Sequence, residues 1–338
     1  MVFARTTWRL AFVGALAIAA CAGGCSGSHG GAADDDGGGG DSGGGGDGGG
    51  GGDGGTTPDG GLMIPDGGTP PTSLFPLGLA ADRGSLVAND GSPFLLHGEA
   101  AWSLIVQTTT SGAMQYLSDR RTRGVNAVLV NLIEHNYSSN PPANIAGDKP
   151  FTVDGDFSTP NERYFAHADQ VIDLAASQGI AVLLFPAYLG LQAYEGWRDE
   201  MAAMGAVAGA PKCASYGAFL GQRYASKKNI IWVWGGDFTP GAGSSTETCL
   251  RVIRDNILAA APGTLSTGHW EPESTSRDEA AFSSALDLVG VYTYLDIVTP
   301  CRTARGVTPR KPTFLLETCY EHETIRSCAG TTAEIRRR

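Results

Sequence analysis

The sequence predicts an α/β fold, a (β/α)8 barrel, on three observations. Short apolar runs of strand length alternate along the chain with stretches of helical length, which favours a parallel sheet. No glycine-rich dinucleotide-binding turn follows the first strand, which favours a barrel over a doubly wound sheet. Two of the apolar runs end on an acid: Ile230-Ile231-Trp232-Val233-Trp234-Gly235-Gly236-Asp237 and Thr313-Phe314-Leu315-Leu316-Glu317. In a barrel the C-terminal strand ends are where the chemistry sits.

The elements follow in order. Phe94 to Gly98 reads as the first strand, behind the turn Asn89-Asp90-Gly91. A helix is expected from Ser111 to Arg123, with Gly124 as its stop. Asn126 to Leu132 is the second strand, and an Asn- and Pro-rich loop runs from Glu134 to Thr159. Asn161 to Gln178 is helical, and Ile180 to Phe185 is the third strand. A helix from Ser215 to Tyr224 leads to the fourth strand, Ile230 to Trp234. Its β-branched and aromatic residues fit a strand buried on both faces. Thr246 to Ala260 is helical, with Pro262-Gly263 behind it. Shorter strands are expected at Leu265–Thr267 and Leu288–Val291, the seventh at Thr313–Leu316, and a last helix opens at Thr331. An eighth strand is missing from this pattern, so the barrel is expected to be incomplete at its C-terminal side, with the first and seventh strands as unpaired edges.

Before the barrel the composition changes. Residues 1–20 carry Arg5 and Arg9 and then the apolar run Leu10 to Ala20, the form of an export signal and too short to span a bilayer. Ile18-Ala19-Ala20-Cys21 resembles a bacterial lipobox, with Cys21 as the lipidated residue and Cys25 as the alternative. The expectation is an exported bacterial lipoprotein at the cell envelope or surface, touching the membrane through that lipid alone. Residues 21–72 are mostly Gly, Asp, Ser, Thr and Pro, a composition that cannot bury apolar surface and reads as a disordered tether. Eight aspartates lie there, Asp34, Asp35, Asp36, Asp41, Asp47, Asp53, Asp59 and Asp66, and they supply most of the net charge of −11. The domain from residue 73 to 338 is therefore only mildly acidic, and nothing suggests nucleic-acid binding. Its five cysteines, Cys213, Cys249, Cys301, Cys319 and Cys328, leave at least one unpaired in an oxidising compartment. Cys213 with Cys249 is a candidate bridge, and the pairing stays open at this level. No Cys or His spacing indicates a metal site, and no cofactor is expected.

Two carboxylates on two strand ends are what a glycosidase needs. Asp237 and Glu317 are the candidate catalytic pair. Glu317 follows its strand directly and is expected to be rigidly aimed, as a nucleophile must be. Asp237 follows two glycines and is expected to have the freedom of a group that gives and then takes a proton. Sugar sites also need flat apolar faces and polar groups. Trp102, Tyr188, Trp270 and Tyr294 lie just past strand ends, as do Asn131, Glu134, His135 and His269, and all are candidates for substrate binding.

Several segments, taken together and in order, carry a resemblance. They are Gly98-Glu99-Ala100-Ala101-Trp102, Leu132-Ile133-Glu134-His135, Gly155-Asp156-Phe157-Ser158-Thr159-Pro160-Asn161-Glu162, Pro186-Ala187-Tyr188-Leu189-Gly190, Trp234-Gly235-Gly236-Asp237 and Leu316-Glu317-Thr318-Cys319-Tyr320-Glu321. Over residues 93–338 the chain resembles the apiosidase-like glycoside hydrolase family, a (β/α)8 group. The resemblance implies a retaining carbohydrase, with the acid after the fourth strand as general acid/base and the acid after the seventh as nucleophile. Glu99, which stands where the family usually has an aspartate, joins the candidates for substrate contact. The implied partner is a polysaccharide or oligosaccharide, and the chain is expected to be a monomer. The competing reading is a carbohydrate-binding barrel without turnover, which the missing strand keeps open. An esterase is disfavoured because no nucleophile elbow is present. Feeding expressing cells a fatty-acid analogue should label the wild-type chain and leave Cys21→Ser unlabelled. Equal labelling of both would move the anchor to Cys25.

Overall fold

The computed structural model describes residues 74–322, 324 and 328–335. The expected export signal, the Cys21 anchor and the tether lie outside the described residues. An antiparallel ribbon comes first, formed by Gly78–Leu79, Leu86–Val87 and Pro93–Phe94. Phe75, Leu77 and Leu86 beside it pack with Leu129, Leu183, Ile231 and Leu265, so the ribbon covers the N-terminal end of the barrel.

The barrel strands are β1 (Gly98–Ala100), β2 (Ala127–Asn131), β3 (Ala181–Phe185), β4 (Ile230–Gly235), β5 (Ser266–His269), β6 (Val289–Tyr292) and β7 (Thr313–Glu317). β1 to β5 form one parallel sheet in sequence order, and β6 pairs parallel with β7. Ser266 O accepts from Asp287 N and Leu288 N, which links β5 to the approach of β6. A short strand, Ser274–Thr275, runs antiparallel to β6. The first strand begins later than the apolar run suggests. Phe94 pairs with Leu86 in the ribbon. Between ribbon and barrel, the Asn126 side chain donates to Leu95 O and accepts from His97 N, both at 2.8 Å. That side chain takes the backbone groups a longer strand would have used.

Strands alternate their side chains between two environments, as the pleat requires. Leu129, Leu183, Phe185, Ile231 and Val233 face the barrel interior. Val128, Val130, Val182, Leu184, Trp232 and Trp234 belong to the layer beneath the helices. Both layers are apolar, so β2, β3 and β4 are buried along their whole length. β7 differs, because Thr313 to Leu316 are only half-buried. Among the described residues no strand lies between β7 and β1. A cavity of about 220 Å³, lined by Gly98, Ala100, Leu129, Phe314 and Leu316 among others, opens there. Among the described residues, β1 pairs with β2 alone and β7 with β6 alone.

The helices are α1 (Leu104–Gln107), α2 (Thr110–Thr122), α3 (Glu162–Ser177), α4 (Arg198–Met204), α5 (Ala206–Tyr224), α6 (Ser245–Ala260), α7 (Ala280–Ser283), α8 (Val298–Gly306) and α9 (Thr332–Ile335). Thr109, Asn161 and Ser244 cap α2, α3 and α6, each accepting from a backbone N–H of the first turn. α5 starts nine residues before the expected Ser215 and carries Pro211 inside it. α5 and α6 pack closely because Gly217 and Gly221 leave room: a Cβ on either would come within 2.7 Å of α6 atoms. Cys213 and Cys249 join the same two helices in a disulfide. A second disulfide links Cys319 to Cys328, and Cys301 is free.

The first bridge spans 36 residues. Replacing Cys213 and Cys249 together by serine should cost roughly 2–4 kcal/mol. The expected result is a thermal midpoint several degrees lower, measured by calorimetry. An unchanged midpoint would show that helix packing alone holds the pair.

Candidate active site

The mouth of the barrel is built around a turn at the end of β4. Gly235, Gly236 and Asp237 have φ of +98°, +122° and +55° in succession. A Cβ on Gly235 would lie 2.3 Å from His269 O, and one on Gly236 would lie 2.3 Å from the Tyr188 ring. The glycines are present because β5 and Tyr188 press against the backbone here. Hydrogen bonds fix the turn on both sides: Leu189 N and Gly190 N donate to Gly235 O and Gly236 O, and Gly236 N donates to His269 O. Asp237 is therefore held, and the freedom the two glycines suggest in the sequence is not found. Its left-handed conformation is unfavourable for most residues but among those Asp tolerates.

The Asp237 carboxylate accepts from the Tyr188 hydroxyl at 2.5 Å. Its other oxygen, Oδ1, is buried without a protein partner. The Asp237 N–H donates to His269 Nδ1 at 3.1 Å, and His269 Nε2 lies 2.6 Å from Glu317 Oε2. One imidazole thus spans the two acids. A carboxylate oxygen of Asp237, a ring nitrogen of His269 and a carboxylate oxygen of Glu317 all lie within 4.8 Å of one another.

Glu317 ends β7 and is 7% exposed. A bulge between Val291 and Tyr292 sets it opposite Tyr292. Besides His269, it meets the Tyr294 hydroxyl at 3.5 Å and is hydrogen-bonded by Tyr320. Each tyrosine is itself supported: Tyr292 donates to Tyr294 at 3.1 Å, and Trp102 Nε1 donates to the Tyr320 hydroxyl at 3.2 Å. Burial, and then the nearby charge of Asp237, pushes the Glu317 carboxyl up to about 7, against the downward pull of its His269 and Tyr320 hydrogen bonds. Burial and then the neighbouring carboxylates also hold the Tyr188 and Tyr320 hydroxyls well above their usual range. They stay protonated and serve as donors.

The residues the sequence nominates divide here. Trp102, Tyr188, His269 and Tyr294 join Asp237 and Glu317 in one contact system, in which Trp102 lies 5.8 Å from Tyr188 and 6.0 Å from His269, ring to ring. Asn131 ends β2 on the interior face, 1% exposed, and both polar atoms of its side-chain amide lack a protein partner. Glu134 is buried and braces the loop after β2, accepting from Ser103 Oγ, His135 N and Tyr137 N. His135 is committed to Glu200 at 2.8 Å and to Tyr194 O at 3.1 Å. The Glu200 hydrogen bond raises its affinity for a proton against the effect of burial. Glu99 is not in the mouth. Its carboxylate accepts from Tyr116 at 2.6 Å and Arg120 at 2.9 Å, both on α2, so it ties the strand to the helix layer. Trp270 is core: it is buried against Phe282, and its Nε1 donates to Ser276 O. Its ring is one of the surfaces that exclude a Cβ at Gly235.

Two participants escape the sequence reading. Tyr320 lies three residues past Glu317, inside a segment that carries the family resemblance, so position could have flagged it. Tyr137, which hydrogen-bonds Tyr188 and Glu195, sits in the irregular loop and has no local signal.

Asp237, His269 and Glu317 also have the spacing of a metal-ligand group. Both ring nitrogens of His269 are already engaged, so a cation would have to displace the Glu317 hydrogen bond. That competition favours reading the three as a hydrogen-bonded acid pair.

A family model described as the apiosidase-like catalytic domain matches residues 80–338. The chain belongs to the apiosidase-like family. Solved structures similar to it include one described as a glycoside hydrolase, with TM-score 0.60 and 22% identity over 74% of this chain and 57% of the other. A glycoside hydrolase family 5 protein from Bacteroides vulgatus has TM-score 0.60 and 22% identity over 74% and 56%. The endo-1,4-beta-mannanase from Rhizomucor miehei has TM-score 0.52 and 15% identity over 73% and 83%. At these identities the likeness is one of fold, the α/β barrel with its parallel sheet. This apiosidase-like chain spans a little over half the length of the first two. No curated protein matches it.

The crowding at Gly236 is testable. Gly236→Ala in this apiosidase-like domain places a methyl against the Tyr188 ring at a φ that L-residues rarely adopt. Strain of at least about 1–3 kcal/mol is expected at such a position. Chemical denaturation should show that loss, and near-UV circular dichroism should show altered packing of the mouth aromatics. A variant with wild-type stability would mean that the ring moves aside freely.

Proposed function

We propose that this chain is a retaining glycoside hydrolase that acts on a polysaccharide or oligosaccharide from the cell surface. The observation that carries this reading is the close approach of Asp237 and Glu317 across the mouth, within 4.8 Å between carboxylate oxygens. Retaining enzymes place their carboxyls about 5–5.5 Å apart, and inverting ones roughly 6.5–9.5 Å to admit a water between. Family membership and the barrel fold agree with it. The export signal and the lipid on Cys21 rest on the sequence.

Burial and the nearby Asp237 charge push the Glu317 carboxyl up to about 7, so Glu317 takes up a proton near neutral pH. Burial favours placing that proton on Glu317, whereas the donors aimed at it favour the carboxylate. His269, Tyr294 and Tyr320 converge on Glu317, and among the described residues Tyr188 alone donates to the Asp237 carboxylate. That imbalance favours Glu317 as the nucleophile and leaves Asp237 as the group that meets the leaving oxygen.

In the first step a Glu317 oxygen attacks the anomeric carbon as the glycosidic C–O bond breaks, and Asp237 gives its proton to the departing oxygen. A glycosyl ester on Glu317 results. In the second step Asp237 takes a proton from water, the water oxygen attacks the anomeric carbon, and the ester C–O bond breaks. Tyr188 holds the Asp237 carboxylate in both steps. Trp102 and Tyr320, each half-buried and joined by a hydrogen bond beside Glu317, are the aromatic groups on which a sugar ring can stack. Asn131 offers an amide donor and acceptor that no protein group uses, which suits a sugar hydroxyl.

Chemical rescue separates the roles. A panel of aryl glycosides and of plant and bacterial polysaccharides first finds a substrate for the domain from residue 73 onward. Glu317→Ala should then be inactive and regain turnover with azide, giving a glycosyl azide of inverted configuration. Asp237→Ala should keep activity on substrates with good leaving groups, and azide should give the retained product. Near wild-type hydrolysis by both variants would overturn the assignment and favour a carbohydrate-binding barrel.

A further inference from the structure

His269 was nominated by the sequence for substrate contact, yet its side chain is 0% exposed. It is enclosed by rings. Tyr292 stacks on it at 4.6 Å and 17°, Phe185 meets it edge-on at 5.6 Å, and Trp102 does so at 6.0 Å. No sugar reaches it. Its two nitrogens instead contact the two halves of the carboxylate pair.

The chemistry of those contacts is asymmetric. A backbone N–H has no alternative to donating, so Nδ1, which receives the Asp237 N–H, must be the bare acceptor nitrogen. The ring's one proton then sits on Nε2 and points at Glu317. Burial opposes a second proton on the ring, and the Glu317 hydrogen bond and the two carboxylate charges favour one, but that proton would sit on Nδ1 and face the Asp237 N–H, so the geometry keeps the ring neutral. A further proton entering this group goes to a carboxylate.

We propose that His269 is the positioning residue of the pair, locked as the neutral Nε2–H tautomer by the Asp237 backbone so that it donates permanently to the Glu317 carboxylate. This rests on the reading of Asp237 and Glu317 as the catalytic acids. It gives the strained turn at Asp237 a second purpose. The left-handed φ that aims the Asp237 side chain at Tyr188 also aims its N–H at the ring, so one backbone conformation sets both acids. It also gives Glu317 an ionisation that its burial opposes.

The charged and titratable groups facing Glu317 are Tyr188 from the loop after β3, Asp237 beyond β4, His269 from β5, Tyr292 and Tyr294 from β6 and its loop, and Tyr320 from the loop after β7. Removing a donor that favours the carboxylate raises its pKa. The Glu317 midpoint therefore moves upward when the Nε2–H is lost, and the ionised form is present only at higher pH.

Two substitutions separate the halves of the ring. In His269→Asn the side-chain oxygen can replace Nδ1 as acceptor, but nothing reaches Glu317. In His269→Gln the amide N–H can replace Nε2 as donor. Chains carrying 13C at the glutamate carboxyls, with the Glu317 signal assigned from Glu317→Gln, report the titration directly by NMR and need no substrate. The expected result is a midpoint raised by about one pH unit or more in His269→Asn and close to the wild type in His269→Gln. Equal midpoints in all three chains would overturn the proposal. The wild type provides a check that does not depend on the variants folding. With 15N-histidine, His269 should show a protonated Nε2 and a bare Nδ1 across about pH 5–8, where histidines ordinarily titrate. An imidazolium or an Nδ1–H tautomer in that range overturns the proposal. If the NMR results hold while Asp237→Ala and Glu317→Ala keep full activity, the catalytic reading has failed and the positioning role has not.

Discussion

Burying a carboxylate beside a second one is the constraint from which the barrel mouth follows. Glu317 loses water at the end of β7, and Asp237 brings a like charge close to it. A buried charge without hydrogen bonds is costly, and partial satisfaction leaves most of the cost in place. The surroundings answer with donors whose own positions are fixed. His269 is clamped by the Asp237 N–H, Tyr294 by Tyr292, and Tyr320 by Trp102. Five segments of the barrel therefore converge on one carboxylate. The arrangement is rigid because each donor is tied to a neighbour and packed among rings.

The same constraint explains the backbone. The Asp237 N–H reaches the ring only if the chain turns back sharply after β4. That turn brings Gly235 onto β5 and Gly236 onto Tyr188, leaving no space for side chains. What reads in the sequence as two flexible residues before an acid is a tightly packed corner. Away from the mouth, the scaffold is held by more ordinary means: apolar strands buried on both faces, capped helices, and a disulfide across the closely packed α5 and α6. The second disulfide packs with Tyr292 and Tyr294, which connects the loop after Glu317 to the aromatic wall.

Much of this was legible in the sequence. Strands β2 to β4 are continuous apolar runs, a pattern that reports burial on both faces and survives any choice of neighbours. The two acids were legible because each ends such a run, and strand ends point into the mouth. Glu99 and Trp270 also follow strands as the sequence delimits them, yet they are turned elsewhere. Glu99 sits on a short strand whose alternation sends its side chain toward α2, where Tyr116 and Arg120 take it. Trp270 follows His269 by one residue and so faces the opposite layer. A shift of one residue reverses the face of a side chain, and the strand boundaries that decide it are the least certain part of any pattern.

The sequence by itself determined the alternation of elements, the burial of the central strands, the two carboxylates and the family, because each depends on local composition and spacing. Only the tertiary structure decided that His269 serves the acids and not the substrate, that Tyr137 and Tyr320 belong to the mouth, and that Cys213 pairs with Cys249. Those facts depend on which distant segments meet. His269 and Glu317 are 48 residues apart, and Trp102 and Tyr320 are 218 apart. Hydrogen-bond partners over such separations are set by how the strands and loops are brought together, and no local pattern of residues encodes them.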